Sequence, residues 1–381
     1  FDSLRRQLID LGVPFMSNTD SEVATRLIGY FTQNTRHIRE GIRCTMELLE
    51  GAYAMVLING ESLYAFRDPN GIRPLVLGKL PNDAGWCVAS ETCAFDILGA
   101  EFVREVEPGE VLRINAEGLV SERAVAPRKK ALCIFEHVYF ARPDSVMDGA
   151  TVQSMRVKMG EQLARESAVE ADLVIGVPDS GLPGAEGFSR ASGIPCRTGF
   201  VKNRYVGRTF IQPTQEMREL GVRLKLNPLR ETIEGKRVVV VDDSIVRGTT
   251  SKQIVRMLRE AGATEVHMRI VSPEVKWPCF YGIDTDTQDQ LISARKTPEE
   301  VCEWIGADSL AFLSVDGLLS CVPEGGYCCS CFDGAYPVEI PAVFSQGKFL
   351  DGYTPNNLTK ASANSHRSVS DVAREIEKEY E

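Results

Sequence analysis

Residues 236–273 read KRVVVVDDSIVRGTTSKQIVRMLREAGATEVHMRIVSP and hold a complete strand, loop, helix and second strand. The valines at 238–241 form an unbroken apolar run, which suits a strand covered on both faces, as in a parallel sheet. Beyond the loop, apolar residues recur at helical spacing until Gly262, and EVHMRIVSP resumes as a strand. Asp242 and Asp243 therefore stand at the carboxyl end of a buried parallel strand, where open α/β sheets bind their ligands. The RGTTS that follows offers backbone N–H groups and hydroxyls at a helix start, which is an anion site. Vicinal carboxylates suit a diol and such a loop suits a phosphate. Together they describe a phosphorylated ribose, with Asp242 and Asp243 at the 2- and 3-hydroxyls and Arg247, Gly248, Thr249, Thr250 and Ser251 around the 5-phosphate. The string lacks the glycine and lysine spacing of a Walker loop.

Working outward, residues 171–181, ADLVIGVPDSG, form another apolar strand that runs into a small-residue loop with Asp179 and Ser180 at its tip. AEGFSRASGIP at 185–195 then supplies a helix. Residues 202–218, KNRYVGRTFIQPTQEMR, are basic, hydroxylated and poorly periodic, and are expected to form a mobile loop. Its Lys202, Tyr205, Arg208 and Thr209 could close over an anion and exclude water.

The first 125 residues have a different grammar. Helical spacing in SEVATRLIGYFTQ (21–33) and REGIRCTMELLEG (39–51) gives way to the short runs AYAMVLI, SLYAF, PLVLG and WCVAS, joined by Asn-Gly turns. That pattern predicts an antiparallel sheet faced by helices. PRKK at 127–130 breaks it and reads as a linker, so the expected units are 1–127, 128–350 and a tail, 351–381, that ends in a short charged helix. With 43% apolar and 25% charged residues the 381-residue chain is globular, and Lys plus Arg (43) against Asp plus Glu (53) gives −10, which argues against nucleic acid as a main partner. No apolar run approaches the ~20 residues that span a bilayer, and FDSLRRQLID lacks the order of a signal peptide, so no membrane partner is expected and the chain reads as intracellular.

VVVVDDSIVRGTTS resembles the phosphoribosylpyrophosphate (PRPP) signature of type I phosphoribosyltransferases, and GVPDSG resembles their pyrophosphate loop. Taken in order, SNTDSEV, RDPNGIRPL, ASETCAFDILGA, CIFEHVYFARPDS, KNRYVGRTFIQP, VVVVDDSIVRGTTS and ATEVHMRIVSP resemble glutamine PRPP amidotransferases from residue 13 to about 345. The resemblance implies an amino-terminal-nucleophile αββα glutaminase sandwich, here incomplete, followed by a type I phosphoribosyltransferase parallel α/β domain. It implies synthesis of 5-phosphoribosylamine, pyrophosphate and glutamate from PRPP and glutamine, the opening step of purine biosynthesis, with ammonia passed between two sites. Lys202, Tyr205 and Arg208 would serve the departing pyrophosphate together with Mg²⁺, and Asp179, Ser180, Asp242, Asp243 and Ser244 would hold PRPP, the last two acids being candidate Mg²⁺ contacts. It also implies a homotetramer restrained by purine nucleotides, in cytoplasm or plastid stroma. A PRPP-binding regulator and a nucleobase phosphoribosyltransferase share the loop; the second leaves the first 125 residues unexplained.

In that family the glutaminase nucleophile is an amino-terminal cysteine whose own α-amine is the base. Residue 1 here is Phe, and the Arg-containing strand and Asn-Gly oxyanion segment that precede SNTDSEV in the family are not among these residues. The expectation is a chain that begins upstream. From the glutamine site only Asp20 carries over, as the carboxylate that would hold the α-amino group, so the 381 residues are expected to use ammonia and not glutamine.

Among eleven cysteines, Cys328 and Cys331 form C-x-x-C in GGYCCSCF, which by itself fits a zinc half-site or a redox pair equally. Cys133 and Cys279 stand where the iron–sulfur branch of the family carries its other ligands. Four thiolates suit zinc or a 4Fe-4S cluster, and the resemblance implies the cluster, as a structural pin. Cys329 is a spare thiol, and none of the four histidines falls in a metal-ligand spacing.

Overall fold

The structure, a computed structural model, describes residues 1–203, 226–285, 287–341, 348–349, 358–359 and 367–380. Turn chemistry and alternation build the first unit. Helices α1 (Asp2–Asp10), α2 (Asp20–Thr35) and α3 (Ile38–Leu48) precede strands β1 (Ala54–Asn59), β2 (Ser62–Arg67), β3 (Val76–Lys79) and β4 (Trp86–Ala89). Helix α4 (Cys93–Leu98) and strands β5 (Glu101–Glu105), β6 (Glu110–Asn115) and β7 (Gly118–Arg123) follow. The strands form two antiparallel sheets, ordered β1-β2-β6-β7 and β4-β3-β5.

Alternation sorts these side chains into layers. Tyr64 and Phe66 of β2 face Ile28, Ile42 and Met46 of α2 and α3, whereas Ala65 faces Leu77 and Leu112 between the sheets. Phe95 of α4 closes over Gly78, where a Cβ would lie 2.9 Å from its ring. Helix, sheet, sheet and helix thus stack in the expected order.

The valine run lies in a four-stranded parallel sheet of Leu173–Gly176, Arg237–Asp242, Glu265–Ile270 and Ser309–Phe312, in that spatial order. Val239 and Val241 pack with Met155, Met159 and Leu163 of helix α5 (Val152–Glu166) and with Ala185 and Phe188 of α6 (Leu182–Ser192). Val238 and Val240 point to the other face, against Ile254 and Leu258 of the helix Thr249–Glu260. Both faces being covered is why the run shows no alternation between polar and apolar residues.

The tail ends in a helix, Val369–Tyr380, whose Val369, Val372, Ala373 and Ile376 share a core with Leu8 of α1 and with Val23, Leu27 and Phe31 of α2. Arg367 bonds to Glu47 of α3, and Val369 N–H donates to Gln7 Oε1 at 2.8 Å, so the end of the chain returns to the first unit. Among the described residues no helix is long and apolar enough to cross a membrane.

Candidate active site

At the carboxyl end of Arg237–Asp242 the two acids are buried side by side. Burial pushes the Asp242 carboxyl well above the ordinary range, and the adjoining Asp243 charge pushes it further. Burial raises Asp243 too, opposed by the hydroxyls of Ser180 and Ser244, which both donate to it, and by the charge of Arg156. Such a pair asks for hydroxyl donors or a hard cation to complete it.

Gly248, at φ 76°, turns the chain into the helix Thr249–Glu260. A Cβ there would meet Trp304 at 2.7 Å and Ile292 at 2.9 Å, so both the turn and the packing require glycine. The N–H groups of the first turn have no acceptor within the helix and are available to an anion. Arg247 turns its guanidinium outward to Gln290 Oε1, at 2.6 Å, lining a cleft of about 280 Å³ with Arg295, Lys296 and Trp304.

Ser180 links the two loops, since its hydroxyl reaches Asp243 from the carboxyl end of the neighbouring parallel strand. The Pro178–Asp179 peptide is cis. Lys202, at the end of the strand Phe200–Lys202, pairs with Asp179. Asp179, Ser180, Lys202, Asp242, Asp243 and Ser244 are thus brought together, whereas Tyr205, Arg208 and Thr209 lie outside the described residues.

In the first unit Asp20 opens α2, exposed, accepting from the Ser21 N–H at 2.7 Å. Its surroundings are organised by Glu22, which sequence reasoning passed over. The Ser17 hydroxyl and the Met16 N–H at 2.9 Å donate to Glu22 and hold its carboxyl down to about 2.

The four cysteines lie on segments that pack against one another. Cys133 and Cys328 are register partners in a two-strand parallel pair, Leu132–Cys133 with Tyr327–Cys328. The Cys331 carbonyl accepts the N–H groups of Lys276 and Trp277, which brings the Cys279 loop alongside, and Cys279 Sγ accepts the Tyr281 N–H at 3.3 Å. Burial drives the Cys331 thiol well above its usual range, and the charges of Cys133, Cys328, Cys279 and Cys329 add to that. Cys329 is itself buried and pushed to about 12. Among the described residues no three His, Cys, Asp or Glu side chains are grouped to hold a metal ion.

Residues 1–96 match a glutamine amidotransferase domain and residues 158–272 a phosphoribosyl transferase domain. The chain is 52% identical over 353 residues to an amidophosphoribosyltransferase of Synechocystis sp., a match that covers 92% of this chain and 71% of that one. The chain belongs to the amidophosphoribosyltransferase family. A Bacillus subtilis relative of the same name is 52% identical over 346 residues, covering 88% of this chain and 71% of its own. The solved glutamine PRPP amidotransferase of B. subtilis, complexed with ADP and GMP, superposes with a TM-score of 0.82 at 50% identity, covering 89% of this chain and 75% of that one.

Proposed function

We propose that the Asp242–Asp243 strand end and the 247–251 loop are where this chain, an amidophosphoribosyltransferase by family, displaces pyrophosphate from PRPP with ammonia drawn from glutamine. The observation that carries the reading is the junction of a buried vicinal carboxylate pair with an open helix start, bridged by Ser180 from the pyrophosphate-side loop. The carboxylates accept the ribose hydroxyls and steady positive charge growing on the ring. Lys202 leaves Asp179 for the departing pyrophosphate, whose charge competes for the same ammonium group. Mg²⁺, whose preference for hard oxygen fits the Asp242–Asp243 pair, neutralises charge on the diphosphate when it is bound. A purine nucleotide carries its own ribose 5-phosphate and would compete for this loop; the proposed assembly is the homotetramer.

Cys133, Cys279, Cys328 and Cys331 fit a 4Fe-4S cluster. They supply sulfur donors only, two of them on adjoining strands, in a core shared with Tyr281, Phe332 and Tyr336. With their thiols deprotonated these residues would hold the cluster and so link the 276–285 and 327–338 segments to Cys133. Its role would be structural, since neither amide hydrolysis nor displacement at C1 requires an electron.

Pyrophosphate release from PRPP and Mg²⁺, followed with ammonia or with a set of nucleobases, tests the reading. Release with ammonia alone is expected. Release with a nucleobase and none with ammonia would replace it with a nucleobase phosphoribosyltransferase.

A further inference from the structure

Arg156 is a buried cation that the proposed chemistry leaves unused. It lies on α5 with 2% of its surface exposed, and its donors go to main-chain carbonyls: Nε to His137 at 2.8 Å, and Nη2 to Ala141 at 2.8 Å and Glu136 at 3.5 Å. These carbonyls belong to a single π turn, Glu136–Phe140, closed by the Ala141 N–H on the Glu136 carbonyl at 3.0 Å. Such turns are uncommon and leave carbonyls to be satisfied from outside. Burial lowers the Arg156 pKa, and the nearby negative charges that oppose this are Asp243 first, then Glu91 and Glu136. One guanidinium is therefore anchored on the turn and lies within electrostatic reach of Asp243.

Both ends of this link are rigid. A Cβ at Gly160 of α5 would lie 2.0 Å from the Gly184 carbonyl oxygen of α6, and one at Gly187 would lie 1.9 Å from the Val157 carbonyl oxygen. The two helices are in backbone contact, and α6 starts at the Asp179–Ser180 loop. Just past the turn, the Arg142 N–H and the Ser145 hydroxyl each donate to Glu91 Oε2 at 2.7 Å, and the Val146 N–H donates to Thr92 Oγ1 at 2.8 Å. Glu91 and Thr92 belong to the first unit.

We propose that Arg156 is a positioning residue that couples occupation of the phosphoribosyl site to the seating of residues 136–146 on Glu91 and Thr92 of the first unit. The proposal rests on PRPP as the occupant. A ligand drawing on Asp243 alters the field at Arg156, and among the described residues the guanidinium's hydrogen bonds go to the carbonyls of residues 136, 137 and 141, through which it can answer. Those carbonyls fix the chain that carries Arg142 and Ser145.

The test is hydrogen–deuterium exchange of peptides covering 89–95, 136–146 and 242–251, with and without PRPP and Mg²⁺, alongside ammonia-dependent kinetics. In the unmodified protein all three segments should exchange more slowly with PRPP. In Arg156→Met the effect should persist at 242–251 and vanish at 136–146 and 89–95, with kcat down about tenfold and KM for PRPP within about threefold. Arg156→Lys keeps the charge without the fork and should lose at least half of the effect at 89–95. Glu91→Ala should lose it at 89–95 alone, and these last two variants carry the test if Arg156→Met does not fold. Full protection of 89–95 in Arg156→Met, or protection of 242–251 without 89–95 in the unmodified protein, would overturn the coupling. Absence of protection at 242–251 in the unmodified protein would instead remove PRPP as the occupant, and the coupling with it.

Discussion

The carboxylate pair at the end of an interior strand and the buried cysteines are two answers to one electrostatic problem. Asp242 and Asp243 are crowded by their place at the end of one strand, so two residues adjacent in sequence share one buried corner. Cys133, Cys279, Cys328 and Cys331 lie on three separate segments, joined by strand pairing and by a carbonyl that holds the Cys279 loop. Burial is the first cause of the raised pKa at both acids, and at Cys133, Cys328 and Cys331. The donor atoms separate the two. On the proposed reading, oxygen would take a transient hard cation that arrives with the substrate, and sulfur a soft group that stays.

If that division holds, replacing any of Cys133, Cys279, Cys328 or Cys331 with serine should reduce bound iron and sulfide, and the brown colour of protein prepared without oxygen, to background. Metal analysis checks this, and zinc in place of iron would reject the cluster. On the oxygen side, Lys202→Ala should cost about 10³-fold in kcat for ammonia-dependent synthesis, with a smaller change in KM, since the lysine acts mainly on the leaving group. An equal change in both would mark a ground-state contact instead.

His137 is fully buried in the π turn, its ring edge-on to Tyr327 and, among the described residues, both ring nitrogens without a hydrogen-bond partner. Burial holds its pKa down from 6.5 to about 4. The unfolded chain therefore takes up this proton near pH 6.5 and the folded chain only near pH 4, so stability is lost as pH falls through that window, by about 3 kcal/mol in all. Urea midpoints from pH 7 to 4.5 should fall less steeply in His137→Phe; parallel profiles would show that another group controls the acid response. The smallest effect belongs to Cys329→Ser. It should keep its iron and lose about 1 kcal/mol of stability from burying a hydroxyl where a thiol packs, and loss of iron would make Cys329 a ligand.

The sequence made the oxygen side legible because its residues are contiguous. The valine run, the acids and RGTTS need only a strand and a helix start to become a site. The grouping of the thiols was proposed only through resemblance, since nothing in the spacing of Cys133 and Cys279 relates them to the C-x-x-C. Arg156 and Glu91 were missed for a plainer reason. Arg156 binds carbonyls, which every residue possesses, and Glu91 meets Arg142 51 residues away, so neither leaves a pattern in the sequence. Arg247, expected at the 5-phosphate, turns its side chain to Gln290, beside the packing of Gly248 against Trp304.

The central claim is that the paired carboxylates hold the ribose while pyrophosphate departs. Its most direct test is pyrophosphate release from PRPP, Mg²⁺ and ammonia by Asp242→Asn with Asp243→Asn, beside a thermal melt of the same preparation. Release should fall by about 10³-fold or more while the melt stays cooperative. Release at the unmodified rate from a folded double variant would contradict the claim.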